Sequence, residues 1–183
     1  MAPSRTWRAP LGRYFAVLAV GNLAWEVAQM PLYTLWRTGS AWEVAFAAVH
    51  CTIGDVLIAG ASLAGSLLLF GGAGWPRIHI LWVAAPAVIF GLGATVLIER
   101  AATAWGFWAY SDLMPVLPGL GTGLAPLAQW IVVPALAFAA ARLPLGSKPQ
   151  PVPAREARDH PATATVAPVA ELDHLARTTW RAS

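Results

Sequence analysis

The run Ala41–Phe70 constrains this chain more than any other stretch. It is longer than the ~20 apolar residues that cross a bilayer, so it reads as a tilted membrane span or one that emerges at an end. Yet Glu43, His50, Cys51 and Asp55 lie in its first half. A charged side chain near the bilayer centre costs at least ~2.5–3.5 kcal/mol on insertion scales. Ionisable groups kept at that depth must face something polar, so the span implies a protein with a polar interior inside the membrane.

The composition agrees. Of 183 residues, 57% are hydrophobic and 11% are charged, whereas soluble domains carry about 25% charged residues. A water-soluble surface cannot be made from so little charge. The net charge of +3 comes from arginines at segment ends. No extended basic patch interleaved with aromatics is present, so nucleic acid is not an expected partner. The single cysteine, Cys51, can form no internal disulfide. Arg5, Arg8 and Arg13 precede an apolar run, as in a signal peptide, but no small-residue cleavage site follows. The run is read as an uncleaved first span.

Four spans are expected: 11–36, Ala41–Phe70, 78–99 and 124–143. In the first, Asn22, Glu26, Gln29 and Tyr33 recur at spacings of three and four, which places them on one helical face. That face should meet protein and the opposite one lipid, with Pro31 kinking the far end. Gly60, Ala64 and Gly65 in the second span, and Ala87, Gly91 and Thr95 in the third, form stripes that let helices approach closely. Prolines, glycines and aromatics over 101–123 rule out a long helix and suggest an interfacial or re-entrant loop. The fold expected is an all-α four-helix transmembrane bundle over 11–143, after a cytoplasmic segment 1–10. The tail 144–183 is rich in Pro, Ala and charge. It should be disordered and cytoplasmic, with a short amphipathic helix over 169–181.

Basic residues mark cytoplasmic ends. With four spans, Arg5, Arg8, Arg13, Arg77, Arg142 and Lys148 share one side, against Arg37 and Arg100 on the other. Both termini are then cytoplasmic, in a bacterial inner membrane, and 101–123 is outside. At about 1.5 Å per residue, Glu26, Gln29, Glu43, His50, Asp55, Glu99 and Gln129 all fall at the midplane or in the outer half. The inner halves are almost purely apolar. Four helices would thus share an outward-facing polar cavity roofed by the aromatic loop.

Intramembrane ionisable residues point to function. Glu26, His50, Asp55 and Glu99 are candidate acids and bases. Asn22, Gln29, Trp108, Tyr110 and Gln129 are candidate ligand contacts, the aromatics for an apolar molecule. Plainer roles compete: Glu26 in an interhelical hydrogen bond to His50 or Gln129, Cys51 as a small packing residue, and Glu99–Arg100 as an interfacial anchor. His50 with Glu26 and Asp55 has the donor types of a zinc or iron site, but no HxxxH, HxxE or CxxC spacing supports a metal, and the sequence leaves any cofactor unassigned. The run Gly119 to Gly123 lacks the Lys-Ser/Thr of a phosphate loop and reads as a turn.

Glu99, then Gly106-Phe107-Trp108-Ala109-Tyr110, a Gly/Pro stretch and Pro126-Leu127-Ala128-Gln129 resemble in outline the membrane enzymes of carotenoid biosynthesis, the lycopene cyclase and carotenoid hydratase type. The resemblance spans residues 99–130. It implies that intramembrane carboxylates protonate a polyene double bond while aromatics stabilise the cation. Where the cyclase pattern has glutamate after the proline, Gln129 stands near that place, and an amide cannot act as an acid. The chain as a whole also resembles small polytopic proteins of bacterial inner membranes. Two roles follow: a site that binds or transforms an apolar or isoprenoid-like molecule, or a non-catalytic subunit whose polar stripe docks on a partner membrane protein. Proton or ion passage is disfavoured by the apolar inner halves.

Overall fold

The computed structural model describes residues 5–144 apart from 73 and 79. The expected tail, with its amphipathic helix over 169–181, lies outside the described residues. Helix α1 is Arg5–Gln29, and a 3-10 turn, Met30–Leu32, follows it. Then come α2 Leu35–Thr38, α3 Ala41–Phe70, α4 Ile80–Ala104 and α5 Leu124–Arg142. Among the described residues four stretches are long and apolar enough to cross a membrane: Trp7–Leu32, Ala41–Phe70, Ile80–Ala104 and Leu124–Arg142. The chain is an all-α, multi-pass membrane protein.

The four long helices form a ring in chain order. Each of α1, α3, α4 and α5 packs on the next, and α5 closes against α1. One end of the bundle carries the α3–α4 turn, where Trp75 meets Trp7 of α1 edge to face at 5.6 Å. Arg13 of α1 also donates to the Pro144 carbonyl at 3.5 Å there. The other end carries the 3-10 turn, α2 and the loop 105–123. We refer to these as the turn end and the loop end.

Pro31 does more than the kink expected of it. It has no amide hydrogen to bond the carbonyl four residues back, and its ring crowds that carbonyl. The α-helix therefore stops at Gln29. Tyr33 is extended (φ −112°, ψ 148°) and pairs with Tyr110 of the loop as an antiparallel bridge. Thr34 N donates to the Ala109 carbonyl and Ser111 N to the Leu32 carbonyl, both at 2.9 Å. The break in the first span is what ties the loop to the bundle. The glycine-rich run within the loop is a turn. Gly121 N donates to Leu117 O at 3.0 Å, and Gly119 (φ 83°) and Gly121 (φ 66°) take left-handed angles that other residues avoid.

Glu43 is a correction to the sequence reading. It is exposed at the start of α3, where its carboxylate accepts from Ser40 N and Ser40 Oγ, each at 2.7 Å. Glu43 N in turn donates to Ser40 Oγ at 3.3 Å. This reciprocal capping box closes the orphan amides of the first turn. Its signature, Ser-x-x-Glu before an apolar run, stands openly in the sequence. Glu43 is a helix cap, not part of a polar interior.

In lipid there is no hydrophobic drive between helices, so close packing must hold them. The expected stripe on α4 is buried as a unit: Ala87, Gly91, Thr95 and Glu99. Gly91 lies under the Trp130 indole of α5, and a Cβ there would collide with Trp130 Cζ3 and Cε3. The stripe expected on α3 is displaced. Ala64 is exposed and nothing lies within 4 Å of a Cβ at Gly65. Ala59, Ser62, Leu63 and Ser66 are the buried residues instead, so the turn half of the bundle is not purely apolar. Tyr14, Leu18, Leu63, Val83 and Phe138 pack the core beside them.

Gly91→Ala must push Trp130 aside, and overpacking of this kind costs about 1–3 kcal/mol. Gly93, two residues on and on the other side of α4, has nothing within 4 Å of its Cβ position. Thermal unfolding in detergent should show Gly91→Ala markedly destabilised and Gly93→Ala at least as stable as the parent.

Candidate functional site

The site begins with the polar stripe of α1. Asn22, Glu26 and Gln29 are each about 95% buried (4%, 4% and 5% exposed), while Val20, Leu23 and Val27 on the opposite face are exposed. The stripe faces the bundle, as its spacing predicts.

Gln129 of α5 meets this stripe and is itself only 2% exposed. Its Nε2 lies 3.1 Å from Asn22 Oδ1, 3.0 Å from Glu26 Oε1 and 2.8 Å from Asp55 Oδ2. Its Oε1 accepts from Gln29 Nε2 at 3.3 Å. One amide group thus joins α1, α3 and α5. An NH2 has two hydrogens and here faces three acceptors, two of them carboxyl groups. Trp130, held by Gly91, brings its indole beside Asp55. On the same α1 stripe, Gln29 Oε1 is buried and has no hydrogen-bond partner among the described residues.

A second polar centre stands on α4. Glu99 is 7% exposed and accepts a hydrogen bond from the Tyr110 hydroxyl. The same hydroxyl accepts from Gly123 N at 3.1 Å. Thus Glu99 is not the interfacial anchor the sequence allowed. Burial removes its route to the headgroups, and it fastens the loop instead. Arg100 does reach outward, donating to the Leu120 carbonyl at 2.6 Å. Burial first, and then the Glu99 carboxylate, push the Tyr110 phenol above its ordinary range. Burial and the same carboxylate do likewise for Tyr33. Both phenols stay protonated donors at neutral pH. The Trp108 Nε1–H is buried beside Glu99 and completes no hydrogen bond among the described residues.

Between the two centres is a cavity of about 320 Å³. Glu26, Gln29, His50, Cys51, Asp55, Glu99, Trp108 and Gln129 line it, and Met30, Ile58, Ile98, Phe107 and Trp130 supply apolar wall. Its volume is at the low end of the ~300–1,000 Å³ of small-molecule sites. Three carboxyl groups face it, and neither Lys nor Arg lines it. Among the described residues no three His, Cys, Asp or Glu are grouped as metal ligands.

The candidates divide by position. Glu26, Asp55, Glu99, Gln29, Gln129 and Trp108 share the wall, although Asp55 and His50 lie on different sides of α3. His50 is exposed at the rim and stacks on Phe46 with ring centroids 5.6 Å apart. Asn22 and Tyr110 do not line the cavity; each holds a residue that does. Cys51 lines the wall rather than only filling space. Trp105 is 74% exposed and stands outside. Tyr33, Thr95 and Trp130 were not singled out as site residues by sequence. Tyr33 belongs to the α1 stripe and Thr95 to the α4 stripe, so both carried a signal of burial. Nothing in the sequence marked Trp130, whose place depends on which glycine it faces.

Neither a protein-family model, a curated protein nor a solved structure matches the chain. The chemistry of the cavity is therefore the guide to what it does.

Removing the Gln129 amide leaves buried acceptors on α1 and α3 without their donor. Each such group costs about 1–3 kcal/mol. Gln129→Leu should therefore lower the unfolding midpoint well beyond Gln→Leu at an exposed site, and Asn22→Leu, which removes one acceptor, should cost less than Gln129→Leu.

Proposed function

We propose that the protein holds an apolar or amphipathic small molecule, isoprenoid-like in character, in this cavity and acts on it by proton transfer. The observation that supports the reading is the convergence of Glu26, Gln29, Asp55, Glu99 and Gln129 on a space otherwise walled by aliphatic and aromatic side chains. Such a site fits an apolar body with few polar points. Its exposed lining residues, His50 on α3, Ile98 on α4 and Phe107 of the loop, surround an opening between α3 and α4. A molecule dissolved in the bilayer reaches the carboxyl groups through that opening without crossing water.

The Glu26–Asp55 pair is the acid and base. Both carboxyl groups approach one amide nitrogen, an arrangement that a single proton shared between them relieves. Delivered to a carbon–carbon double bond, that proton leaves a carbocation beside the faces of Trp130 and Trp108, which attract positive charge. Return of a proton from a neighbouring carbon to the carboxylate completes an isomerisation or cyclisation with no other reactant. This is the chemistry that the resemblance to lycopene cyclase and carotenoid hydratase enzymes implies. Gln129 orients the pair, and Glu99 with Tyr110 closes the roof.

We also infer that the loop end faces the periplasm and both termini the cytoplasm of a bacterial inner membrane. Arg8, Arg13, Arg77 and Arg142 belong to the turn end, against Arg37 and Arg100 at the loop end, which is the bias of the positive-inside rule.

Mass spectrometry of the extract from purified protein is the test. A cavity ligand should be enriched over bulk lipid in the parent and depleted in Gly54→Trp, whose added ring fills the open space beside Gly54 on the cavity wall. No enrichment, or equal enrichment in Gly54→Trp, would refute the reading.

A further inference from the structure

The cavity is short of hydrogen-bond donors. Gln129 Nε2 offers two hydrogens to Asn22 Oδ1, Glu26 Oε1 and Asp55 Oδ2. Gln29 Oε1, on a side chain 5% exposed that lines the cavity, receives none from the described residues. Glu99 adds a further carboxyl group, and no Lys or Arg answers the three acids. A buried acceptor without a donor is unfavourable, and an unbalanced buried charge more so. The walls also include the indoles of Trp108 and Trp130 and the ring of Phe107, apolar surface for the body of such a ligand. The unmet Gln29 acceptor and the three acids without a basic partner have the same sign, and a ligand that brings hydrogens and positive charge corrects both; the unmet donor on the wall, Trp108 Nε1–H, stands beside Glu99.

We propose that the cavity recognises a lipophilic amine: a protonated ammonium head seated between Gln29 Oε1 and the Glu26–Asp55 pair, with an apolar body against Ile58, Ile98 and the indoles. An alkylammonium, like the lysine side chain with its ordinary pKa of about 10.4, carries its charge at neutral pH and offers three hydrogens. Gln29 Oε1 is the acceptor it completes, and the Glu26–Asp55 pair is the charge it answers. The body leaves through the opening between α3 and α4 toward lipid, where a longer chain continues into the bilayer. This inference rests on the reading of the cavity as a small-molecule site and adds the charge and donor character of what it takes.

The test compares 4-phenylbutylamine with 4-phenylbutan-1-ol, which match in body and differ in head. Binding to the full-length protein in an uncharged detergent is measured by calorimetry. The amine should bind at least about tenfold more tightly, the effect of one charge-assisted hydrogen bond. Asp55→Asn and Gln29→Leu should each weaken the amine by about tenfold and weaken the alcohol, which carries no charge, by less. Asp112→Asn, at an exposed loop carboxylate, should alter neither. Thermal unfolding of each variant without ligand separates lost binding from lost fold, and if Gln29→Leu does not fold, Asp55→Asn alone decides. Equal binding of amine and alcohol, or amine binding indifferent to Asp55→Asn, overturns the amine assignment while leaving a small-molecule site. Binding of neither probe overturns both.

Discussion

The Gln129 amide group, only 2% exposed, reaches α1 and α3 from α5 at the level of the cavity. Its nitrogen faces Asn22, Glu26 and Asp55, and its oxygen accepts from Gln29. In an apolar medium each unmet polar group is costly, so these side chains have few alternatives to meeting one another. Lipid offers helices no hydrophobic reason to associate. A shared amide at one depth therefore does two tasks: it selects which helices are neighbours, and it fixes their relative height.

The rest of the structure follows from that fixed height. With Gln129 against α1, the next residue, Trp130, turns toward α4, and Gly91 is where the indole can lie. The stripe that holds Gly91 also holds Thr95 and Glu99, one and two turns nearer the loop. Glu99 then meets Tyr110, and Tyr110 meets Tyr33 across the bridge made by the extended residue after Pro31. A chain of contacts runs from the amide to the roof, and the cavity is the space it encloses. Its acidity is a by-product of the same economy: the acids that meet Gln129 and Tyr110 bring no basic partners with them.

Much of the architecture was legible because periodicity and depth are sequence properties. The bounds of α3 could be read directly, since Ser40 begins it and Gly71 ends it. The inward turn of Asn22, Glu26 and Gln29 followed from their spacing, and the common level of Glu26, Asp55 and Gln129 from counting residues. Other features depended on local chemistry that hydropathy hides. By depth alone Glu43 reads as a buried acid, whereas the Ser40-x-x-Glu43 cap holds it at the exposed start of α3. Pro31 looked like a kink because the strand-like pairing of Tyr33 with Tyr110 needs a loop some 75 residues away to be seen. Pairing decided the rest. Gly65 is as small as Gly91, but only Gly91 has an indole opposite, and Trp130 gave no sign of its place until α4 and α5 were set side by side.

The central claim is that the Gln129 amide and the Asp55 carboxyl group interact directly across two helices. A double-mutant cycle of Gln129→Leu and Asp55→Leu, read by unfolding in detergent, tests it most directly. Directly interacting residues couple by about 0.5–3 kcal/mol, with the double variant less damaged than the two single losses combined. Additivity within about 0.3–0.5 kcal/mol would show that the two groups do not meet, and the cavity between their helices would lose its foundation.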